Sequence, residues 1–237
     1  MLNIGSDEPV AIAVVEAIRN GDLEALQRLL SGNPGLAAAR IGNTRTLLHV
    51  AADWPGHFPN GAATVAALIA HGADVNARFT GAHTETPLHW AASSDDVAVL
   101  DALLDGGADI EATGAVIGNG TPLADAVAFG QWQAARRLVE RGARTTLWQA
   151  AALGLMPRVE EHFATDAPPA SGEVTNAFWC ACHGGQRGPA EYLLCRSGDL
   201  NWIGYNGLTP LDAAGRSGAG ELVEWLRGQG ARSAQEL

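Results

Sequence analysis

The 237-residue sequence predicts an all-α solenoid of about seven stacked helix pairs, and three observations carry that prediction. A short phrase recurs, most completely as Thr-Pro-Leu-His-Trp-Ala-Ala at 86–92. A second phrase begins with Gly-Ala, and Gly72, Gly107 and Gly142 in these phrases are evenly spaced. Between the two phrases, apolar residues fall at helical spacing. One such helix pair cannot bury its apolar stripe alone, so we expect copies to stack on one another.

The composition predicts a soluble, globular protein. Hydrophobic residues make up 47% of the chain, and no apolar run approaches the roughly 18–20 residues that span a bilayer. The first residues lack a basic region followed by an apolar one, so no secretory signal is expected. We therefore expect a cytoplasmic protein that does not associate with membranes.

Charge narrows the class of partner. The formal net charge is −11, and all 15 basic residues are arginine. Binding to a nucleic-acid backbone depends on clustered Lys and Arg, so a nucleic-acid partner is not expected. An acidic surface favours protein partners that are neutral or basic where they touch it. Arginine without lysine, together with abundant Ala and Gly, suggests a bacterial source.

The chain divides into repeated units, which we predict to form a single domain over residues 1–237. The first unit (9–42) has the helix spacing without the opening phrase, as expected for a cap. The second (43–80) opens with Thr-Leu-Leu-His and carries an insertion at 53–61, whose prolines and glycines predict a loop. The third (81–115) contains both phrases, and the fourth (116–144) opens with Gly-Thr-Pro-Leu-Ala.

The pattern weakens in the last three units, at 145–170, 171–205 and 206–231. The fifth follows its predecessor so closely that a connecting finger is expected to be short or absent. Residues 166–172 are predicted to be a loop, with the next helix opening at Asn176. The last unit returns to the phrase as Thr-Pro-Leu-Asp-Ala-Ala and ends the repeat pattern.

These phrases together resemble the ankyrin repeat over roughly residues 9–231. The third unit is an almost complete match, and the phrases at Thr46, Thr121 and Thr209 are good ones. The resemblance implies antiparallel helix pairs with β-hairpin fingers projecting to one side. It also implies a concave surface, made by the fingers and the first helices, that binds other proteins without catalysis.

The family pattern also implies a structural role for its histidine, which hydrogen-bonds within the turn that opens each first helix. His49 and His89 match that position, and both are interpreted as structural. Other residues stand at the position in the remaining units: Ala124, Trp148, Trp179 and Asp212.

Aromatic residues in the fingers, first helices and inserted loop are the predicted binding residues. Such side chains bury large areas at a small entropic cost, which suits them to anchor a partner. An alternative for Trp148 and Trp179 is that they fill space left by shortened repeats. The predicted set is Phe79, His83, Trp90, Trp202, Tyr205, Trp54, His57, Trp148 and Trp179.

No metal, cofactor or catalytic residue is assigned. Cys180, Cys182, His183 and Cys195 do not have zinc-knuckle spacing, because residues two apart on a helix point to different sides. Scattered groups such as Asp125 and His57 are acid–base candidates only if the fold brings them together. An alternative function therefore stays open: a small-molecule-binding protein, or an atypical enzyme, with a pocket walled by Trp90, Trp148 and Trp179. Self-association around the fifth and sixth units is a further possibility.

Overall fold

The computed structural model describes residues 2–237, which divide into two compact units. The first unit ends at Ala143 and the second begins at Arg144. Across the described residues the backbone forms fourteen α-helices in seven consecutive pairs. The predicted all-α fold of about seven helix pairs is thereby confirmed. That residues 1–237 form a single domain stays a prediction.

Four helix pairs form the first unit. They are α1 (Pro9–Asn20) with α2 (Leu23–Gly32), α3 (Leu47–Ala51) with α4 (Gly61–Ala70), α5 (Pro87–Ser93) with α6 (Val97–Asp105), and α7 (Pro122–Ala128) with α8 (Trp132–Glu140). First helices pack on first helices, and second helices pack on second helices. The leucine of each opening phrase lies in the core between them, since Leu48, Leu88 and Leu123 are fully buried. Burying each such side chain contributes roughly 1.5–3 kcal/mol.

Three helix pairs form the second unit: α9 (Leu147–Ala152) with α10 (Met156–Phe163), α11 (Ser171–His183) with α12 (Arg187–Leu194), and α13 (Pro210–Arg216) with α14 (Gly220–Gly228). Here α11 packs on both α9 and α13. The prediction that residues 166–172 form a loop is wrong at its end, because α11 begins at Ser171 rather than Asn176. The Glu173 carboxylate explains the early start: it accepts a hydrogen bond from the Ala170 N–H at 2.9 Å and caps the helix.

The lengths of the helices show whether any of them could span a membrane. The longest of these helices, α11, has 13 residues. Among residues 2–237, no helix is both long and apolar enough to cross a bilayer.

Short strands occur only at the first finger of the described chain. β2 (Arg40–Ile41) and β3 (Arg45–Thr46) pair antiparallel, and β1 (Asn3–Ile4) adds in parallel to β2. The Asn43 backbone N–H donates to the Asn3 side chain at 3.0 Å, which ties β1 to the hairpin tip. The sequence analysis assigned no structure to β1, because two residues are too few to show an alternating pattern.

The later fingers are loops rather than strand pairs, so the implied β-hairpins are limited to the first finger. A few backbone hydrogen bonds close them: the Phe79 N–H donates to the Glu85 carbonyl at 2.8 Å, and the Ala115 N–H donates to the Gly120 carbonyl at 3.2 Å. The fingers at 74–86 and 109–121 approach closely at Gly114. Its φ is +124°, and a Cβ there would lie 2.5 Å from the Thr84 carbonyl oxygen, so only glycine fits.

His49 and His89 have the structural role that the family resemblance implies. The Thr46 N–H donates to His49 Nδ1 at 3.2 Å, so the ring proton is on Nε2, which lies 3.1 Å from the Glu85 carbonyl oxygen. His89 makes the matching contacts with Thr86 and, at 3.4 Å, with the Gly120 carbonyl. Burial lowers the pKa of both histidines to about 4, so both rings are neutral near pH 7.

Other side chains cap the later first helices in the same way. The Thr146 N–H donates to Gln149 Oε1 at 2.8 Å, and the Thr209 N–H donates to Asp212 Oδ2 at 3.1 Å. The assignment of Trp148 to the histidine position is therefore wrong by one residue, since Gln149 occupies it. The unit lacks the Pro-Leu of the phrase, so the sequence offered no anchor for the alignment.

The unfolding free energy should fall as the pH is lowered from 6.5 to 4. The unfolded chain then binds protons that folded His49 and His89 exclude, so their stabilisation is complete above pH 6.5 and is lost toward pH 4. The slope is at most about 1.4 kcal/mol per pH unit for each histidine. A His49→Gln, His89→Gln variant, patterned on Gln149, should lose this histidine contribution to the slope.

Urea unfolding at a series of pH values measures the effect. His71→Gln is the matched control, because His71 is exposed at the end of α4 and should leave the slope unchanged. Identical slopes for the wild type and the double variant would show that the buried histidines do not control acid stability.

Candidate protein-binding surfaces

Four rings of the first unit form one aromatic cluster beside the 74–86 finger. Phe79 stacks on His83, with ring centroids 4.5 Å apart. Trp90, on α5, lies 5.6 Å from Phe79 and meets the ring of His49 edge-on at 5.0 Å. Phe79, His83 and Trp90 are half-buried, whereas His49 is fully buried and hydrogen-bonded. The structure therefore brings three predicted binding residues together on one fixed support, with ring surface left open to solvent.

Two buried carboxyl groups adjoin this cluster. Glu85 is 5% exposed; its Oε1 accepts from the Val116 N–H at 3.0 Å, and its Oε2 lies 3.1 Å from His83 Nδ1 without the alignment of a hydrogen bond. Asp125, on α7, is 0% exposed. It lies near Glu85 and the Ile117 N–H, but within the described residues neither of its oxygens is well placed to bond.

The environment of Asp125 favours its neutral form. Burial first, and then repulsion from Glu85, raise the pKa of Asp125 to about 8. Sequence reasoning named Asp125 only among scattered acid–base candidates and did not single out Glu85. No spacing rule connects the two, because they belong to successive units.

The tip of the 109–121 finger exposes two large apolar side chains, Val116 and Ile117. Sequence reasoning missed both and interpreted the segment only as a hairpin turn. Their signal was present: apolar residues in a finger have little core to fill. Because Glu85 holds the Val116 N–H, this tip and the aromatic cluster are linked within the first unit.

The inserted 53–61 loop presents Trp54 to solvent, with 79% of the residue exposed. The loop itself is well anchored. The Asp53 carboxylate pairs with Arg45 at 2.8 Å, and the His57 N–H donates to Asp96 Oδ2 at 2.6 Å. The loop follows the C-terminal end of α3, whereas the fingers precede the N-terminal ends of the first helices. The loop with Trp54 and His57 therefore adjoins the opposite end of α3 from the fingers.

A second aromatic cluster lies in the second unit, beside the 199–208 finger. Tyr205 meets Trp179 edge-on at 5.1 Å and Trp202 at 6.0 Å. The Tyr205 hydroxyl donates to Asn176 Oδ1 at 2.9 Å, which fixes the ring against α11. Tyr205 is exposed and Trp202 is half-buried, while the neighbouring Ile203, which sequence reasoning missed, is 52% exposed.

Trp179 differs from the other predicted binding residues. It is only 4% exposed, and its Nε1–H donates to the Leu208 carbonyl at 2.9 Å. Leu208 precedes Thr209, just as the carbonyls bound by His49 and His89 precede Thr86 and Thr121. Trp179 thus occupies the histidine position, fills the space there and replaces the histidine hydrogen bond. Trp148 is half-buried on α9.

Two of the three cysteines, Cys180 and Cys182, have surroundings unlike those of reactive thiols. Cys180 and Cys182 are buried in α11, and burial raises the pKa of Cys180 to about 12 and also raises that of Cys182. Cys195 is exposed. Within residues 2–237, no group of three or more His, Cys, Asp or Glu side chains is placed to hold a metal ion.

Comparison with known proteins identifies the family. The family model described as ankyrin repeats (3 copies) matches residues 14–114 and 60–149, which together make up more than half of the chain. The chain therefore belongs to the ankyrin repeat family. No match was found among curated proteins.

Solved structures agree on the fold. The crystal structure of the human ASB11 ankyrin repeat domain is similar to this chain, with a TM-score of 0.53 and 22% sequence identity. The similarity covers 92% of this chain and 97% of that one. At this identity the likeness supports the fold alone.

Trp179→Phe should destabilise the chain by about 0.5–1.5 kcal/mol, because it keeps most of the ring volume but removes the indole donor, which leaves the half-buried Leu208 carbonyl with only the Gly204 N–H. Trp202→Phe is the matched control, since its ring is half-buried and should cost less. Urea unfolding followed by circular dichroism measures both. Equal losses for the two variants would argue against a special role for the Trp179 hydrogen bond.

Proposed function

We propose that this protein is an interaction module that binds another protein through its fingers and first helices. Ankyrin repeats are generally protein–protein interaction modules, which supports the general class. The observation that carries the proposal is the set of large apolar side chains exposed on the finger loops: Val116 and Ile117 in the first unit, Ile203 and Tyr205 in the second.

Each exposed pair has a rigid support. Val116 is tied through Glu85 to the cluster of Phe79, His83 and Trp90. Tyr205 is held by Asn176 and packs against Trp179. Preformed aromatic anchors lose little conformational entropy when a partner covers them, which favours binding. Each cluster is therefore a suitable anchor for apolar side chains of a partner.

The 53–61 loop is proposed as an additional contact. An exposed tryptophan on a loop anchored by ion pairs and hydrogen bonds offers a large apolar area at a fixed position. The net charge of −11 favours a partner whose contacting surface is neutral or basic. The alternative of a small-molecule-binding protein or enzyme gains no support from either comparison.

Two finger variants test the proposal: Val116→Ser, Ile117→Ser in the first unit and Ile203→Ser, Tyr205→Ser in the second. Val116→Ser, Ile117→Ser and Ile203→Ser replace exposed side chains and should each change stability by no more than about 0.5 kcal/mol. Tyr205→Ser should cost about 1 kcal/mol more, because it also removes the Asn176 hydrogen bond and the contact with Trp179. At a binding hot spot they should weaken partner retention at least about tenfold. Affinity capture from a lysate of the native organism, with quantitative mass spectrometry, measures retention, and Trp54→Ser tests the loop in the same way.

The matched control is Phe129→Ser. Phe129 is 48% exposed at the C-terminal end of α7, away from the fingers. A partner lost equally by this control and by the finger variants would indicate non-specific adhesion. Capture of only a second copy of the chain, lost in the second-unit variant, would identify self-association. A small molecule with no specific protein would count against the interaction-module proposal.

A further inference from the structure

Buried polar atoms without a hydrogen-bond partner are grouped at one place in the first unit. Among the described residues, four buried side-chain atoms lack a hydrogen-bond partner, and three of them are His83 Nδ1 and the two carboxyl oxygens of Asp125. All three adjoin the buried carboxyl group of Glu85. An ionised carboxylate that is fully buried, with neither oxygen well placed to bond, is strongly unfavourable, so the neutral form of the Asp125 carboxyl group is favoured at this position.

We propose that Glu85 and Asp125 share one proton, and that this proton holds the 74–86 and 109–121 fingers together so that pH controls how the tip at Val116 and Ile117 is presented. The shared proton itself does not depend on the proposed function. Only the consequence for partner binding rests on it.

Glu85 contacts three parts of the first unit, so the protonation state of the carboxyl pair can affect all of them. Its backbone carbonyl accepts hydrogen bonds from the Phe79 N–H and from His49 Nε2, and its carboxylate accepts from the Val116 N–H. One residue therefore joins the aromatic cluster, the first helix of the second repeat and the tip of the next finger. A charge that displaces the Glu85 carboxylate would break its contact with the Val116 N–H, and any shift of the Glu85 backbone would disturb the other two contacts.

The surroundings of Asp125 offer little to stabilise a second negative charge. Asp125 stands in the first turn of α7, where the helix dipole favours an anion, but this effect is small beside complete burial. The buried side chains of the neighbouring α8 are all apolar, namely Ala134, Ala135 and Leu138, so none of them can donate a hydrogen bond to Asp125.

Two of the groups around the carboxyl pair, His89 and Arg78, do not replace the proton. His83, on the 74–86 finger, lies beside Glu85, and His89, on α5, is buried with a lowered pKa and neutral. The Arg78 guanidinium is committed to the backbone carbonyls of Thr84 and Thr113 on the two fingers. One proton between the two carboxyl groups removes the repulsion and supplies an O–H donor for the neighbouring carboxylate oxygen.

The sign of the pH effect follows from the raised pKa of Asp125. The folded chain keeps a proton that the unfolded chain loses above pH 3.8, so the stabilisation is complete at low pH. It is lost progressively as the pH rises toward about 8, where the folded carboxyl group also ionises. Above about pH 8 the Asp125 and Glu85 carboxylates repel each other, and we expect this repulsion to loosen the contacts between the 74–86 and 109–121 fingers.

Carboxyl-carbon NMR of the full chain, uniformly labelled with carbon-13, tests the shared proton directly. One carboxyl resonance should titrate near or above neutral pH and should disappear in Asp125→Asn. Glu24→Gln, at an exposed carboxylate on α2, should leave that resonance unchanged. If Asp125→Asn does not fold, Glu85→Gln provides the second assignment, since it should lower the titration midpoint by removing the repulsion.

Amide hydrogen exchange measures whether loss of the shared proton loosens the finger contacts. After correction for intrinsic rates, protection of the Val116 and Phe79 amides should fall as the pH rises toward the midpoint, by at most about tenfold per pH unit, and should level off above it. In Asp125→Asn this fall should vanish. An Asp125 midpoint near 3.8, or protection that does not change with pH in the wild type, would overturn the proposal. A midpoint that shifts with added calcium or chelator would show that a cation neutralises the pair and would also overturn it.

These readouts need no partner. A failed capture experiment with a normal titration would leave the shared proton standing and remove only its role in binding. If no carboxyl group titrates near neutral pH but the finger variants still lose a captured partner, the shared proton is ruled out and the proposed binding function stands.

Discussion

The structure depends on one repeated hydrogen bond between successive repeats. A side chain on a first helix donates from its ring to the carbonyl that precedes the threonine of the next repeat. His49 donates to Glu85 and Trp179 donates to Leu208 in this way. Because that carbonyl ends a finger and the threonine opens a helix, this single contact sets where each finger lies relative to the helix beside it. Imidazole and indole can both make it, since each places an N–H at the end of a flat ring.

The aromatic cluster of the first unit is built directly on this contact. His49 supports Trp90 edge-on, and Trp90 in turn contacts Phe79. The same residue that accepts the histidine bond, Glu85, carries the carboxyl group that holds the Val116 N–H. Structural and exposed residues are therefore joined in one network, so the anchors proposed for binding are held in place by the packing of the repeats. Such preorganisation lowers the entropic cost of binding.

Aromatic residues serve two distinct roles in this chain. Trp179 is buried and replaces a structural histidine, whereas Trp54 is exposed on an anchored loop. Residue type alone does not separate these roles. Burial and hydrogen bonding do, because an indole with its N–H satisfied inside the unit has no polar group left for a partner.

The sequence by itself determined the helix pairs, since recurring turn phrases and apolar spacing specify local structure and the need to stack. It also identified the structural histidines and the finger aromatics Phe79 and Tyr205 as residues to follow. Sequence reasoning did not align Gln149 or start α11 at Ser171, because helix caps decide both. It also passed over Val116 and Ile203, although an apolar residue in a finger has little core to fill, and the structure shows that both are exposed. Only the tertiary structure placed Glu85 beside Asp125. The two stand forty positions apart, and their meeting is decided by how one repeat packs on the next.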